Sequence, residues 1–321
     1  MIEDHKPLIT FTVTSYNQRD YIREAVQGAF DQTYSPLEII LSDDCSQDNS
    51  YQIMEEMANS YRGPHKIVLN RNEKNLGIAA HTSRIVNLAE GEIIVFADGD
   101  DISMPERTQK SYELFAAHRD CFYVNFSIVK FYGRDLKLLP QEKKHYPLIK
   151  YAVEELDLVR KFPVSGATAI VKSVFQDFGE LLPTTPVQDS PIQLRYLLAG
   201  PILKSEDPQI YYRIHGKNLA ASHNKYVLDF TRIHQQYVKD LDTALEKKMI
   251  DEGVYNKIKL ALEGKLTRKL IEAKFFLSNC PLNVYFSSIL FSQYFGIKEK
   301  LMYVIKFLMG IFDQDQRVPR F

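Results

Sequence analysis

The stretch Glu92-Ile93-Ile94-Val95-Phe96-Ala97-Asp98-Gly99-Asp100-Asp101 decides the fold class. Its apolar, β-branched run reads as a buried strand, and it stops abruptly at three carboxylates around one glycine. In an open α/β sheet, ligands bind beyond the carboxyl ends of the strands, so these acids mark a site. Clustered carboxylates repel one another and are kept together where something positive sits between them. Mg²⁺ and Mn²⁺ take oxygen ligands and usually retain partners from a substrate diphosphate, which suits such a turn. A solvated acidic turn is the competing reading of these residues taken alone.

Upstream, residues 8–14, 37–42 and 66–69 are further short apolar runs rich in Ile, Val and Thr. Between the runs, 20–31, 48–61 and 78–89 have helical spacing, with Asp20 and Asp48 as expected N-caps. Ile22, Val26, Ala29 and Phe30 form one apolar stripe. Strand alternating with helix predicts an α/β fold with a mostly parallel sheet flanked by helices. Downstream, the pattern predicts a helix over 105–118, strands within 121–132, a turn at Gly133-Arg134-Asp135 and a charged irregular region over 136–162. A strand at 167–171, a helix over 190–199 closed by Gly200 and an extended segment over 202–214 interrupted at Pro208 follow. Beyond 224 the texture changes. Residues 227–273 are rich in Lys, Glu, Leu and Ala and predict long helices, and 275–312 are more aromatic and apolar. The expected organisation is one α/β unit over 1–223 and a helical region over 224–321.

The bulk numbers narrow the class. The 321 residues carry a formal net charge of -1, with 45% hydrophobic and 25% charged residues, so there is no basic field pointing to nucleic acid. Three widely spaced cysteines fit a reducing compartment and neither a disulfide framework nor a zinc site. The start, Met1-Ile2-Glu3-Asp4-His5-Lys6-Pro7, lacks a secretory signal pattern, so a cytoplasmic location is expected, with the inner face of the membrane as a candidate place of work. Residues 275–297 hold no charge, yet Ser278, Asn279, Pro281, Asn283, Ser287, Ser288, Ser292 and Gln293 make them too polar for a membrane span.

The turn after the first strand, Thr14-Ser15-Tyr16-Asn17, contains no Gly-x-Gly-x-x-Gly, and no P-loop pattern occurs anywhere. What stands at the strand ends is polar and aromatic: Thr14, Tyr16 and Asn17 after the first, Asp43 and Asp44 after the second, Asn75-Leu76-Gly77 after the third, and the acid turn after the fourth. Tyr16 can stack on a base, and Asp44 can accept a hydrogen bond from a uracil imide N–H. Either residue alone also reads as turn or cap chemistry. Four successive strand ends of this kind read as a nucleotide pocket built from side chains.

These residues carry a resemblance. Val13-Thr14-Ser15-Tyr16-Asn17, Gln32-Thr33-Tyr34, Glu38-Ile39-Ile40-Leu41-Ser42-Asp43-Asp44-Cys45-Ser46, Asn75-Leu76-Gly77, Gly91-Glu92, Phe96-Ala97-Asp98-Gly99-Asp100-Asp101 and Pro105 resemble, in order, the motifs of family 2 glycosyltransferases. The resemblance is strong over 8–114, weaker to about 221 and absent beyond. It implies a GT-A fold and an inverting, metal-dependent enzyme using a nucleotide-sugar donor. It further implies that Thr14, Tyr16 and Asp44 hold the nucleoside, that Asp98 lies near ribose and metal, and that Asp100 is the main protein ligand of Mn²⁺ or Mg²⁺. Ser165-Gly166-Ala167-Thr168 resembles the small-residue stretch beside the donor sugar, which puts Gly166 and Ala167 in the donor site. Asp189, in Gln188-Asp189-Ser190, stands where the family keeps its general base; a helix N-cap is its plain alternative. Tyr212-Arg213-Ile214-His215-Gly216-Lys217-Asn218 resembles the segment that closes over the diphosphate. There His215 would complete the metal site, and Arg213 or Lys217 would meet phosphate oxygens.

Three departures matter. Thr82-Ser83 stand where members commonly have Arg-Asn, with Arg84 as a substitute contact. Gln188 replaces a common Glu. The chain has no tryptophan, so the Gln-x-x-Arg-Trp pattern of processive synthases is absent and a single addition is expected. The expected function is transfer of one sugar, from a UDP-sugar before other donors, to a hydroxyl of a glycan or lipid-linked acceptor in surface polysaccharide synthesis. A nucleotidyltransferase and a non-catalytic sugar-nucleotide-binding subunit are the rival readings. In the tail, Leu282, Phe286, Ile289 and Leu290, then 301–312 with Lys298, Lys300 and Lys306 nearby, suggest helices for packing, homo-oligomer formation or peripheral membrane contact.

Overall fold

The computed structural model describes residues 6–132, 146–153, 167–215, 228–277 and 300. The first four predicted strands form: β1 Ile9–Ser15, β2 Leu37–Asp43, β3 Lys66–Arg71 and β4 Ile93–Asp98. They lie parallel in the order β3-β2-β1-β4, in a register that sets Thr14 beside Asp98 and Ser15 beside Asp43. Their carboxyl ends therefore meet along one edge. The crossovers are α1 Ile22–Phe30, α2 Ser50–Ser60 and α3 Ile78–Leu88.

The acid turn leads into β5 Ile102–Ser103 and α4 Arg107–Ala117. Next come β6 Tyr123–Tyr132, β7 Leu148–Tyr151, β8 Thr168–Val171 and α5 Lys172–Phe178. The α/β part closes with α6 Asp189–Ala199 and β9 Ile202–Ile214. Among the described residues the sheet has nine strands. β8 is inserted antiparallel between β4 and β6, β9 runs parallel to β6, and β5 and β7 pair antiparallel with β9. Six strands thus share one direction. The expected interruption at Pro208 is a register shift opposite Ser127, where a residue without an N–H cannot continue the ladder.

Alternation along β4 explains how the site is aimed. Ile93, Val95 and Ala97 pack with Phe11, Val13 and α1, whereas Ile94 packs with Ile40, Ile170 and the α3 and α6 side. Both faces are covered, as a parallel sheet requires. By the two-residue period, Asp98 lies on the face of Ile94, the face that α6 covers.

The expected caps are shifted. Tyr21 takes the cap position of α1 without a side-chain bond, because Gln18 O already accepts from the amides of Tyr21 and Ile22. Asp48 does accept from the Ser50 amide at 2.9 Å, but from one residue ahead of the cap. The change of texture at 224 is not a break in the core. Helices α7 Phe230–Glu246 and α8 Glu252–Leu277 contribute Ile233, Tyr237, Leu241, Ala244, Ile258 and Leu262 to the cluster that contains Ile40 and Ile94. Among the described residues no helix is long and apolar enough to cross a membrane. The expected turn at 133–135, most of the irregular region 136–162 and the tail helices beyond 277 fall outside the described residues.

Candidate active site

The acid turn is built tightly onto β1. The Gly99 amide donates to Thr14 O at 2.8 Å, and the Asp101 amide donates to Asp98 O at 3.1 Å. A Cβ at Gly99 would stand 2.8 Å from Thr14 O and 2.4 Å from Gln18 Oε1, so the turn needs glycine for close approach. Thr14 Oγ1 donates to Asp98 Oδ1 at 3.4 Å. Burial, reinforced by the charges of Asp100 and Asp189, pushes the Asp98 carboxyl up to about 7 against the opposing pull of Arg107. Burial with Asp100 and Asp98 likewise raises Asp101 to about 8. Asp101 is buried and accepts the Arg213 amide at 2.9 Å, so it braces the turn.

Arg107 is the countercharge that the sequence reading passes over. Fully buried at the start of α4, it donates to Ser103 Oγ at 2.9 Å and to Phe96 O and Thr168 O, beneath the acids. The signal was available: Arg107, Ser111 and Phe115 lie four residues apart and share the buried face of α4.

Asp100 faces the other way. Its Oδ2 lies 3.0 Å from His215 Nε2, and the imidazole stacks on Tyr21 with ring centroids 4.7 Å apart. Asp100 and His215, which the resemblance expects at a metal and which lie far apart in sequence, are thus within hydrogen-bond distance of each other. Among the described residues no three His, Cys, Asp or Glu side chains converge into a complete cage. A carboxylate and an imidazole suit a divalent ion that draws its remaining ligands from phosphate oxygens and water, so the residues fit Mn²⁺ or Mg²⁺. Arg213, expected near phosphates, is buried behind the turn instead. Its Nε donates to Asp100 O at 2.9 Å, it pairs with Glu24, and its guanidinium lies 4.9 Å from the Tyr21 ring and 4.5 Å from the Phe131 ring. Gly216, Lys217 and Asn218 lie outside the described residues.

The other strand ends form a connected polar rim. Tyr16 is 46% exposed, a flat face open to solvent at the end of β1. Asn17, in the left-handed region at φ 56, accepts the Gln47 amide at 2.8 Å and donates its own amide to Ser46 Oγ at 2.8 Å. Asp44 is buried; Oδ1 accepts Asn72 Nδ2 at 2.8 Å and the Leu76 amide at 2.9 Å, and Oδ2 accepts the Gly77 amide at 3.0 Å. Asn75 Oδ1 also accepts the Gly77 amide, at 2.8 Å, and Gly77 holds φ 78, where a side chain would be strained. Two unforeseen residues, His81 and Asn70, support this rim through Ser42, whose Oγ lies 2.7 Å from His81 Nε2 and accepts Asn70 Nδ2 at 2.9 Å. Burial holds the His81 imidazole below its ordinary range despite Asp44 and Asp43 nearby. Thr82 and Ser83 turn back onto the carbonyls of Ile78 and Ala79, while Arg84 points to solvent.

Asp189 is the first residue of α6, with Gln188 in the cap position and no side-chain cap bond. Its carboxyl is raised to about 6 by burial. It contributes to the upward shifts of Asp98 and of Tyr123, so the fold brings its charge near the acid turn although Asp189 follows Asp101 by 88 positions. Tyr123 Oη and Asn125 Nδ2 both lie 3.3 Å from Thr168 Oγ1 beneath it. Ala167 is buried at the start of β8, and Gly166 lies outside the described residues. Tyr212, in the segment expected to close over the diphosphate, is a further neighbour: burial first, then the charges of Asp101, Asp100, Asp98 and Asp189, push its phenol up to about 12.

The family model described as "Glycosyl transferase family 2" matches residues 10–179. A Bacillus subtilis protein named as a teichuronic acid biosynthesis glycosyltransferase, TuaG, is 32% identical over 118 residues, 37% of this chain and 45% of that protein. An uncharacterized glycosyltransferase of Methanocaldococcus jannaschii, MJ1057, is 29% identical over 159 residues, 48% of this chain and 53% of its own length. The chain thus spans about half the length of these relatives. In structure it resembles S. aureus TarS 1–349, with TM-score 0.63, 17% identity and coverage of 88% of this chain and 78% of that one. TarS 1–349 has also been solved with UDP and with UDP-GlcNAc. The mannosyltransferase PcManGT of Pyrobaculum calidifontis, solved with GDP-Man and Mn²⁺, has TM-score 0.58, 14% identity and coverage of 97% and 82%. At these identities the structural likeness speaks for the GT-A fold alone. The match over 10–179, together with strand ends that carry the motifs in their predicted places, makes this chain a member of glycosyltransferase family 2.

Proposed function

We propose that this enzyme is an inverting, metal-dependent glycosyltransferase that moves one sugar from a nucleotide-sugar donor, UDP-linked before other bases, to a hydroxyl of a glycan or lipid-linked acceptor. The observation that carries the reading is two unlike acidic centres gathered at the carboxyl end of β4. Asp100 with His215 is a half-built cation site, and Asp189, from another element, is a half-buried carboxylate whose field reaches Asp98. When bound there, Mn²⁺ or Mg²⁺ supplies positive charge against the leaving nucleoside diphosphate.

The chain's own residues do the rest. Tyr16 offers a ring for the base, and Asp44, Asn75 and Gly77 shape the loop around the nucleoside, with Thr14, Asn17 and Asp98 toward the ribose. Gly166 and Ala167 border the sugar. Asp189 takes the proton of the acceptor hydroxyl as that oxygen bonds to the anomeric carbon. The bond from that carbon to the diphosphate breaks on the opposite side, and the configuration inverts. A carboxylate raised to about 6 is still ionised near pH 7 and is a stronger base than an ordinary aspartate.

The surface-polysaccharide context is supported by the name of the TuaG relative, and nucleotide-sugar use by the TarS and PcManGT complexes. Thermal-shift screening of UDP-, GDP- and dTDP-sugars with Mn²⁺ tests this reading. A rise in melting temperature with a UDP-sugar that needs the metal, followed by release of UDP on transfer, is expected. Release of pyrophosphate in place of a nucleoside diphosphate would overturn it.

A further inference from the structure

Helix α7 lies beyond the segment matched by the family model, yet the chain that delivers Asp189 is tied to it. The buried face of α7 includes Gln236, Tyr237 and Asp240, all within one turn and all nearly or fully buried. Tyr237 Oη donates to Ser190 Oγ at 2.8 Å, at the residue next to Asp189. Gln236 Oε1 accepts the Leu182 amide at 2.6 Å, and its Nε2 donates to Asp240 Oδ1 at 2.8 Å. Asp240 pairs with Arg195 of α6 at 2.9 Å, both side chains being wholly buried. Arg195 also donates to Gly179 O at 2.7 Å and stacks over Phe175, and Lys239 Nζ reaches Glu180 O at 2.6 Å. One face of α7 therefore holds the segment 179–195 at four separate places.

Packing alone does not ask for this. Glutamine and aspartate are seldom wholly buried, and an ion pair replaced by apolar residues of similar volume often leaves stability unchanged or improved. What directional bonds provide, and apolar contacts do not, is a fixed distance and angle. We infer that Tyr237, through Ser190, is a positioning residue for the catalytic carboxylate of Asp189, and that α7 is part of the working enzyme. The inference rests on Asp189 being the general base. Ser190 sits in the first turn of α6, so a tilt of that turn moves the carboxylate relative to the acceptor oxygen, and misplacement by about 1 Å can cost on the order of a hundredfold in rate.

The test uses the full chain with Mn²⁺ and a UDP-sugar titrated up to saturation, comparing Tyr237→Phe, Ser190→Ala, the double variant and Asp189→Asn. Tyr237→Phe removes one hydroxyl and keeps the ring, and Ser190→Ala approaches the same bond from the other side. The expected result is a loss of about tenfold or more in kcat in each single variant. Donor KM and UDP affinity should stay within about twofold, and the double variant should be no slower than the worse single one. A purely structural role would lower the melting temperature and leave kcat at the assay temperature unchanged, and that result overturns the inference. Losses that multiply in the double variant overturn it too. If Asp189→Asn is inactive while Tyr237→Phe turns over normally, the positioning role alone falls. If Asp189→Asn retains turnover, the general-base reading falls and takes this inference with it.

Discussion

At Gly99 the space for a side chain is already filled by Thr14 O and Gln18 Oε1, so the acid turn depends on one missing methyl. Gly99→Ala is expected to cost about 1–3 kcal/mol of stability through overpacking and to weaken Mn²⁺ binding by shifting Asp98 against Asp100. Calorimetric titration of Mn²⁺ alongside thermal melting checks this; unchanged affinity would mean that the turn relaxes without moving its acids. Asp189 gives a pH prediction. With its carboxyl raised to about 6, the ionised base is lost below that pH, so transfer should fall toward a tenfold loss per unit on the acid side. The stability sign is opposite. A folded pKa above the ordinary aspartate value of about 3.9 means the folded state holds a proton that the unfolded chain releases, so burial of Asp189 costs stability above pH 6 and that cost fades as pH falls toward 4. Asp189→Asn should therefore melt higher than the parent at pH 7.5, and equal melting at pH 7.5 would argue against a desolvated, ionised carboxylate. Which acids take which role was only partly legible in the sequence. Asp98-Gly99-Asp100-Asp101 announces a site, but the bond from Arg213 N to Asp101 and the Arg107 countercharge depend on partners far along the chain.

Helices and strands differ in how openly they declare themselves. Strands β1 to β4 are legible because their apolar runs end in polar residues and alternate with helical spacing. The insertion of β8 between β4 and β6 is not, because periodicity fixes which face a residue takes and not which strand lies beside it. The grip of α7 on α6 is equally hidden. Gln236 and Asp240 read as ordinary polar positions until Arg195 is found opposite them, wholly buried. Removing one partner strands the other without solvent. Asp240→Ala is thus expected to destabilise the protein by about 3–5 kcal/mol, seen as an earlier urea midpoint with little change in slope. A loss near zero would show that water reaches Arg195 and that the pair is not a sealed one.

On the scale of the whole molecule, the sheet gathers four strand ends at one edge, and α3 with elements after β4 covers the face of Asp98, where the charge of Asp189 is felt. The hydrophobic core does not stop at 223, since Ile233, Leu241 and Ile258 share a cluster with Ile40 and Ile94. A fragment ending at residue 223 should accordingly lose cooperative unfolding, whereas one ending at 274 should keep it; a cooperative 1–223 fragment would make the helical region a separate body. The sequence marks a change of composition there, and composition carries no record of which surfaces share a core. In the proposed reaction one carboxylate serves the acceptor, while an acid and a histidine from other parts of the chain serve the leaving group. The most direct test of this division is Asp189→Asn measured twice, by calorimetric binding of UDP with Mn²⁺ and by turnover of the donor with acceptor. UDP affinity within about twofold of the parent, with turnover reduced on the order of a hundredfold or more, is the predicted result. Turnover close to that of the parent would contradict it.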